Sequence, residues 1–258
     1  MSYIVQIPRA MFYLNAWQWA ALLAGSALVG LSKTGIAGLG IFTVAIFANV
    51  LPARESTGVL LPLLICGDLI AVPLYHRHAV WPHLWKLCPW VAAGVVFGFL
   101  AMGQLQGDRQ FQRLIGAILL GMVAVHVWRQ RSSARDADRI PHQAWFAALM
   151  GALAGFTTMV ANAAGPVMIL YLLSMRLPKM EFLGTGAWFF LAVNLFKVPF
   201  SWRLDLITPS STLLDLKLAP LVVAGALVGR LLIGRINQRL FEILALAFTV
   251  LAALRMVF

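Results

Sequence analysis

The chain has 258 residues, 61% of them hydrophobic and only 11% charged, with a mean hydropathy of +0.86 and a formal net charge of +11. A soluble domain averages roughly 45–50% apolar and about 25% charged, so a water-soluble globule is excluded and lipid must solvate most of the surface. The Lys and Arg residues sit mainly in short polar stretches between apolar runs, where positive charge orients membrane segments; no basic face on a soluble fold is visible, and no nucleic-acid partner is expected.

In chain order, residues 1–16 hold Pro8 and Arg9 without the layout of a cleaved signal and read as a retained leader. Apolar runs that read as bilayer crossings follow at Trp17–Leu31, Val59–Tyr75, Leu87–Leu105, Phe111–Trp128, Ala144–Ala161, Phe182–Phe200, Leu218–Ile233 and Leu240–Val257. Two shorter runs, Ile36–Val50 and Gly165–Met175, give only roughly 22 and 16 Å of helix against a hydrocarbon core of about 30 Å. The expected fold is an all-α polytopic membrane protein with eight full spans plus two short broken helices. Arg129–Pro141 carries four arginines and two aspartates and reads as a cytoplasmic linker, residues 129–141, between units 17–128 and 142–258. Cys66 and Cys88 lie in or beside apolar runs and suggest neither a disulfide framework nor a zinc site. No metal or cofactor is expected.

The two units repeat one another. Pro89, Gly94, Gly98 and Gly103 recur 131 residues later as Pro220, Gly225, Gly229 and Gly234. Gly30-Leu31-Ser32-Lys33 through Gly40 resembles Gly155-Phe156-Thr157-Thr158 through Gly165 at an offset of 125. Asp68…Pro73 resembles Asn194…Pro199 at 126. Phe111 and Phe241 each follow a polar turn and open the last run of their half. Duplicated apolar units of this size are the usual plan of membrane carriers, and paired, short, Gly-interrupted segments point to a binding site. If each short run counts as a crossing, the halves are inverted, with 11 Lys and Arg on the cytoplasmic side and 7 outside; if neither does, the halves are parallel and the division is 10 to 8. The inverted arrangement is favoured, because an odd number of passes lets both breaks meet near the midplane from opposite sides.

The residues with chemistry cluster at those breaks. Gly30 to Gly40 lacks the Gly-x4-Gly-Lys-[Ser/Thr] spacing of a nucleotide loop. A Gly-rich break in lipid implies a buried turn, and a helix starting after it offers free N–H groups and a positive dipole end to an anion. Ser32, Lys33 and Thr34, with Gly35 and Gly38, are candidate contacts there; close helix packing by the glycines and an interfacial Lys33 are the competing reading. The second break offers Thr157, Thr158, Asn162 and Gly165, with Pro166 suited to the first turn of the next helix. Asn162 has a cap or an interhelical hydrogen bond as its alternative role. Asp68 lies close to mid-span and suits either an ion pair with Lys33 or Lys197 or a coupling proton, and its counterpart Asn194 is a further candidate contact. Lys197 is a second cationic candidate unless it snorkels to an interface. His76, His78, His83, Trp81 and Trp85 form one short loop and read as an interfacial belt. No nucleophile–base constellation suggests an enzyme.

Gly-Leu-Ser-Lys-Thr-Gly-Ile-Ala-Gly-Leu-Gly near the start, with Ala-Asn-Ala-Ala-Gly-Pro-Val-Met and Asn-Leu-Phe-Lys-Val-Pro-Phe later, resembles the sulfite exporter TauE/SafE family of membrane permeases from about Trp17 to the C-terminus. The resemblance implies a carrier of small anions such as sulfite or organosulfonates, a bacterial plasma (inner) membrane location and a homodimer. It also makes Ser32, Lys33, Thr34, Asn162 and Gly165 path contacts. The expected function is a secondary transporter exporting a small sulfur-containing anion, with the lipid bilayer as its other partner. A passive anion channel, or a carrier of another small organic anion, is the alternative.

Overall fold

The computed structural model describes residues 14–104 and 144–235, with positions 237, 239, 240, 243, 247 and 251 beyond them. With little water to satisfy backbone groups, a lipid-solvated chain of this kind forms helices. They are α1 (Ala16–Thr34), α2 (Gly40–Val50), α3 (Ala53–Tyr75), α4 (Trp81–Gln104), α5 (Ala144–Ala161), α6 (Ala164–Ser174), α7 (Lys179–Arg203) and α8 (Pro209–Ile233), with a 3-10 turn at His76–His78. Among the described residues five helices, α3, α4, α5, α7 and α8, are long and apolar enough to cross a membrane. The expected span Phe111–Trp128, the linker 129–141 and most of both the leader and the expected span Leu240–Val257 lie outside the described residues.

Several helices begin earlier than hydropathy suggests, and at α1 and α8 a polar cap sets the start. Asn15 accepts from the Gln18 N–H while the Gln18 side chain accepts from the Asn15 N–H, and Thr208 and Ser211 form the same box ahead of α8 with Pro209 in its first turn. Trp81, His83 and Trp85 stand on the first turns of α4 and not in a loop; only His76 and His78 stay in the turn before it. Likewise α3 starts at Ala53, which moves Asp68 from mid-span toward the C-terminal half of its helix.

Two close helix pairs hold the bundle. A Cβ on Gly30 would strike the Val222 carbonyl of α8, and one on Gly155 would strike the Val91 carbonyl of α4. A Cβ on Gly225 would meet the Ala27 carbonyl of α1, and one on Gly94 the Ala152 carbonyl of α5. Small residues let membrane helices approach to backbone contact, so α1 lies parallel against α8 and α4 parallel against α5. Between them α3 and α7 run antiparallel. Gly58 abuts Leu206 at one end, Asn194 reaches Asp68 in the middle, and Thr185 Oγ1 accepts from the Val80 N–H at 2.9 Å near the other end.

The short helices fold back on their predecessors. Gly25 of α1 sits beside Phe47 of α2 and Ser32 beside Gly40, so α2 retraces α1. In the other hairpin Tyr171, late in α6, stacks on Phe146, early in α5, at 5.9 Å between ring centroids. The hairpins enter from opposite ends of the bundle, α1/α2 from the end where α3 begins and α5/α6 from the end where α7 begins.

Gly225→Val and Gly94→Val should each remove folded protein, since overpacking alone costs about 1–3 kcal/mol and here the obstacle is backbone. Gly103→Ala, with nothing within 4 Å of its added methyl, should behave as the parent. Thermal unfolding and gel filtration in detergent would read this; a Gly225→Val protein as stable as the parent contradicts the close pairing.

Candidate functional site

The tips of the two hairpins face one cavity of about 90 Å³. Ser32, Lys33 and Gly38 line it from the first hairpin, Thr158, Asn162 and Gly165 from the second. The third wall is one face of α7: Phe182, Gly186, Phe190 and Asn194 follow at helical spacing. The volume is far below the roughly 300–1,000 Å³ of drug-sized pockets, yet a void of only ~10–15 Å³ already holds a water. The cavity is scaled to a guest of a few heavy atoms.

Its charge comes from three residues on three helices. Lys33, 10% exposed, reaches from α1 past Gly67, whose missing side chain leaves room for the lysine stem, and its Nζ lies 2.7 Å from Asp68 Oδ1. Asp68 is fully buried, and its Oδ2 accepts from Asn194 Nδ2 at 2.7 Å. The Lys33 ammonium also sits 4.2 Å from the Phe190 ring centre, a cation–π contact that strengthens away from water. Lys197 is 1% exposed and donates to Thr158 Oγ1 at 3.1 Å and to Asn162 Oδ1 at 2.5 Å. Among the described residues no carboxylate lies within ion-pair distance of it. Two lysines against one carboxylate leave the site cationic, and an anion is the guest that relieves this.

Asn162 holds a left-handed backbone, φ 53°, which Asn tolerates better than most residues. The turn leaves only two residues between α5 and α6 and aims the side chain across the tip. Its Nδ2 donates to the Thr57 carbonyl of α3 at 2.9 Å while its Oδ1 receives Lys197.

The expected break begins later than the motif suggested. Ser32, Lys33 and Thr34 belong to the last turn of α1, and the irregular stretch is Gly35–Leu39. The Ser32 hydroxyl donates to Val29 O at 2.8 Å, though the residue still lines the cavity. Thr34 donates to Ala226 O at 2.6 Å and packs on α8, outside the lining, and Gly35 abuts Gly229 there. Thr157 donates back to Leu153 O at 2.8 Å and faces away. Asp68 and Lys197 stand one layer behind the wall, and Lys197 does not snorkel, since the interior network satisfies it. Of the expected contacts, Ser32, Lys33, Gly38, Thr158, Asn162, Gly165 and Asn194 reach the cavity. The α7 wall with Phe190 was missed; its signal was Phe190 and Gly186 lying one and two turns before Asn194 on the same face.

Removing one partner of a buried pair strands the other charge and costs about 3–5 kcal/mol, whereas removing both costs far less. Asp68→Ala should therefore lower thermal stability in detergent strongly, and Lys33→Met/Asp68→Ala should recover most of the loss. Equal loss in the single and double variants contradicts the pairing.

Comparison with individually characterised proteins and with solved structures gives no match. Among protein families, the one described as Sulfite exporter TauE/SafE matches residues 22–256, a range that takes in both hairpin tips, Lys33, Lys197 and Asp68. These are integral multi-pass membrane transporters of sulfite and related sulfur anions rather than enzymes, and this chain belongs to the sulfite exporter TauE/SafE family.

Proposed function

We propose that the protein is a secondary transporter that exports sulfite or a small organosulfonate across a bacterial plasma membrane. The observation that carries the reading is the small cavity where two hairpin tips meet beside Lys33, with Lys197 behind its wall. First-turn N–H groups of a helix lack intrahelical partners and carry the positive end of the dipole. Gly40 and Gly165 bring two such turns to the lining. Fixed N–H groups and ammoniums can replace the hydration shell of an oxyanion.

The chain is built as an inverted repeat, which supports alternating access. Contacts obey the sequence offsets: Gly30 with Val222 corresponds to Gly155 with Val91, and Gly225 with Ala27 to Gly94 with Ala152. The matched helices α3 and α7 oppose one another. Charge supports an orientation as well. The end where α3 and α8 finish carries Arg77, Lys86, Arg176, Lys179, Arg230 and Arg235, against Arg54, Arg203 and Lys217 at the other. Positive charge favours the cytoplasm, so α5/α6 enters from inside and α1/α2 from outside.

Labelled sulfite flux in proteoliposomes tests the reading. Lys33→Ala and Lys197→Ala should each lower it at least about tenfold, the loss of one strong charge-assisted contact. Unlabelled sulfite on the far side should accelerate exchange; a flux without such trans-stimulation belongs to a channel. Wild-type rates in both variants would falsify the cationic site.

A further inference from the structure

We infer that Asp68 sets the valence of the transported anion, holding the site to monovalent oxyanions such as sulfonates and hydrogen sulfite and against divalent ones. The inference rests on the cavity being the anion site. The charged groups acting on one another there are Lys33, Asp68 and Lys197. Asp68 uses one ammonium fully: it is 0% exposed, absent from the lining, and fixed by Lys33 on one oxygen and Asn194 on the other. A guest meets the cavity-facing side of Lys33 and the Thr158–Asn162 edge in front of Lys197, never the carboxylate itself. With both lysines protonated, the loaded site then holds two ammoniums, one carboxylate and the guest. One negative charge on the guest makes that sum zero; two leave an excess charge in an apolar interior, where an uncompensated charge is expensive.

The repeat sharpens the point. The position matching Asp68 in the second half is Asn194, an amide of nearly the same shape. A carboxylate at both places would cancel both lysines and leave nothing for an anion; an amide at both would leave room for two negative charges. The chain holds one of each, bonded to one another at 2.7 Å.

Methanesulfonate and sulfate make the test, because they are close in shape, hold fixed charges around neutral pH and differ in valence. Titration calorimetry on the purified full chain in nanodiscs should find methanesulfonate bound at least about tenfold more tightly than sulfate. In Asp68→Asn that preference should shrink at least about tenfold, through tighter sulfate binding. Sulfate binding the parent as tightly as methanesulfonate, or an unchanged ratio in Asp68→Asn, overturns the inference. Should Asp68→Asn fail to fold, Lys33→Met/Asp68→Asn removes the pair as a unit and leaves one cation; it should keep the monovalent preference, and losing it overturns the inference equally. If the parent binds neither anion and moves no sulfite, the transport reading falls with it; sulfite flux with an indifferent ratio removes only the valence rule.

Discussion

Peptide groups that leave a helix inside a lipid-solvated molecule must be covered, because hydrocarbon offers them no partner. Everything about this bundle answers to that requirement at two places. The tip of α1/α2 and the tip of α5/α6 come from opposite ends and cover one another, flanked by α3 and α7. Covering them leaves a small space, apolar over most of its wall with a few polar side chains, and the buried charge stands at its edge and just behind that wall. The break and the site are thus one feature: interrupted backbone supplies dipoles, and the surrounding helices supply lysines and the carboxylate that keeps them in place.

Much of this was legible in the residues. Composition alone required a helical membrane protein, and the matched short runs located both hairpins. The Asp68 and Asn194 correspondence located two side chains that meet at 2.7 Å. What the sequence could not convey was depth and facing. Ser32, Lys33 and Thr34 look alike as polar residues in a Gly-rich motif, but in a helix consecutive side chains point about 100° apart. Lys33 turns to Asp68, Thr34 turns to α8, and Ser32 satisfies its hydroxyl on its own backbone while keeping an edge on the cavity. Thr157 and Thr158 divide in the same way. The α7 wall was missed because Phe190 in an apolar run carries no polar mark.

The same residues explain why charge inside lipid is tolerable here. Lys33 has a carboxylate and an aromatic face, and Lys197 has two oxygen acceptors. A buried charge lacking such company is costly. Phe190 lies against the Lys33 ammonium, and both residues line the cavity. Asn162 links Lys197 to the Thr57 carbonyl, so the charge network and the hairpin tip are mechanically one piece.

The glycine contacts join unlike partners: the opening helix of each sequence half is clasped by the closing ladder of the other. Rigid units therefore do not coincide with the halves of the gene product. A tilting motion that preserves backbone contact must carry α1 with α8 and α4 with α5, sliding one such couple past the other over the α3–α7 seam. It follows that either half made alone would present a bare glycine groove to lipid.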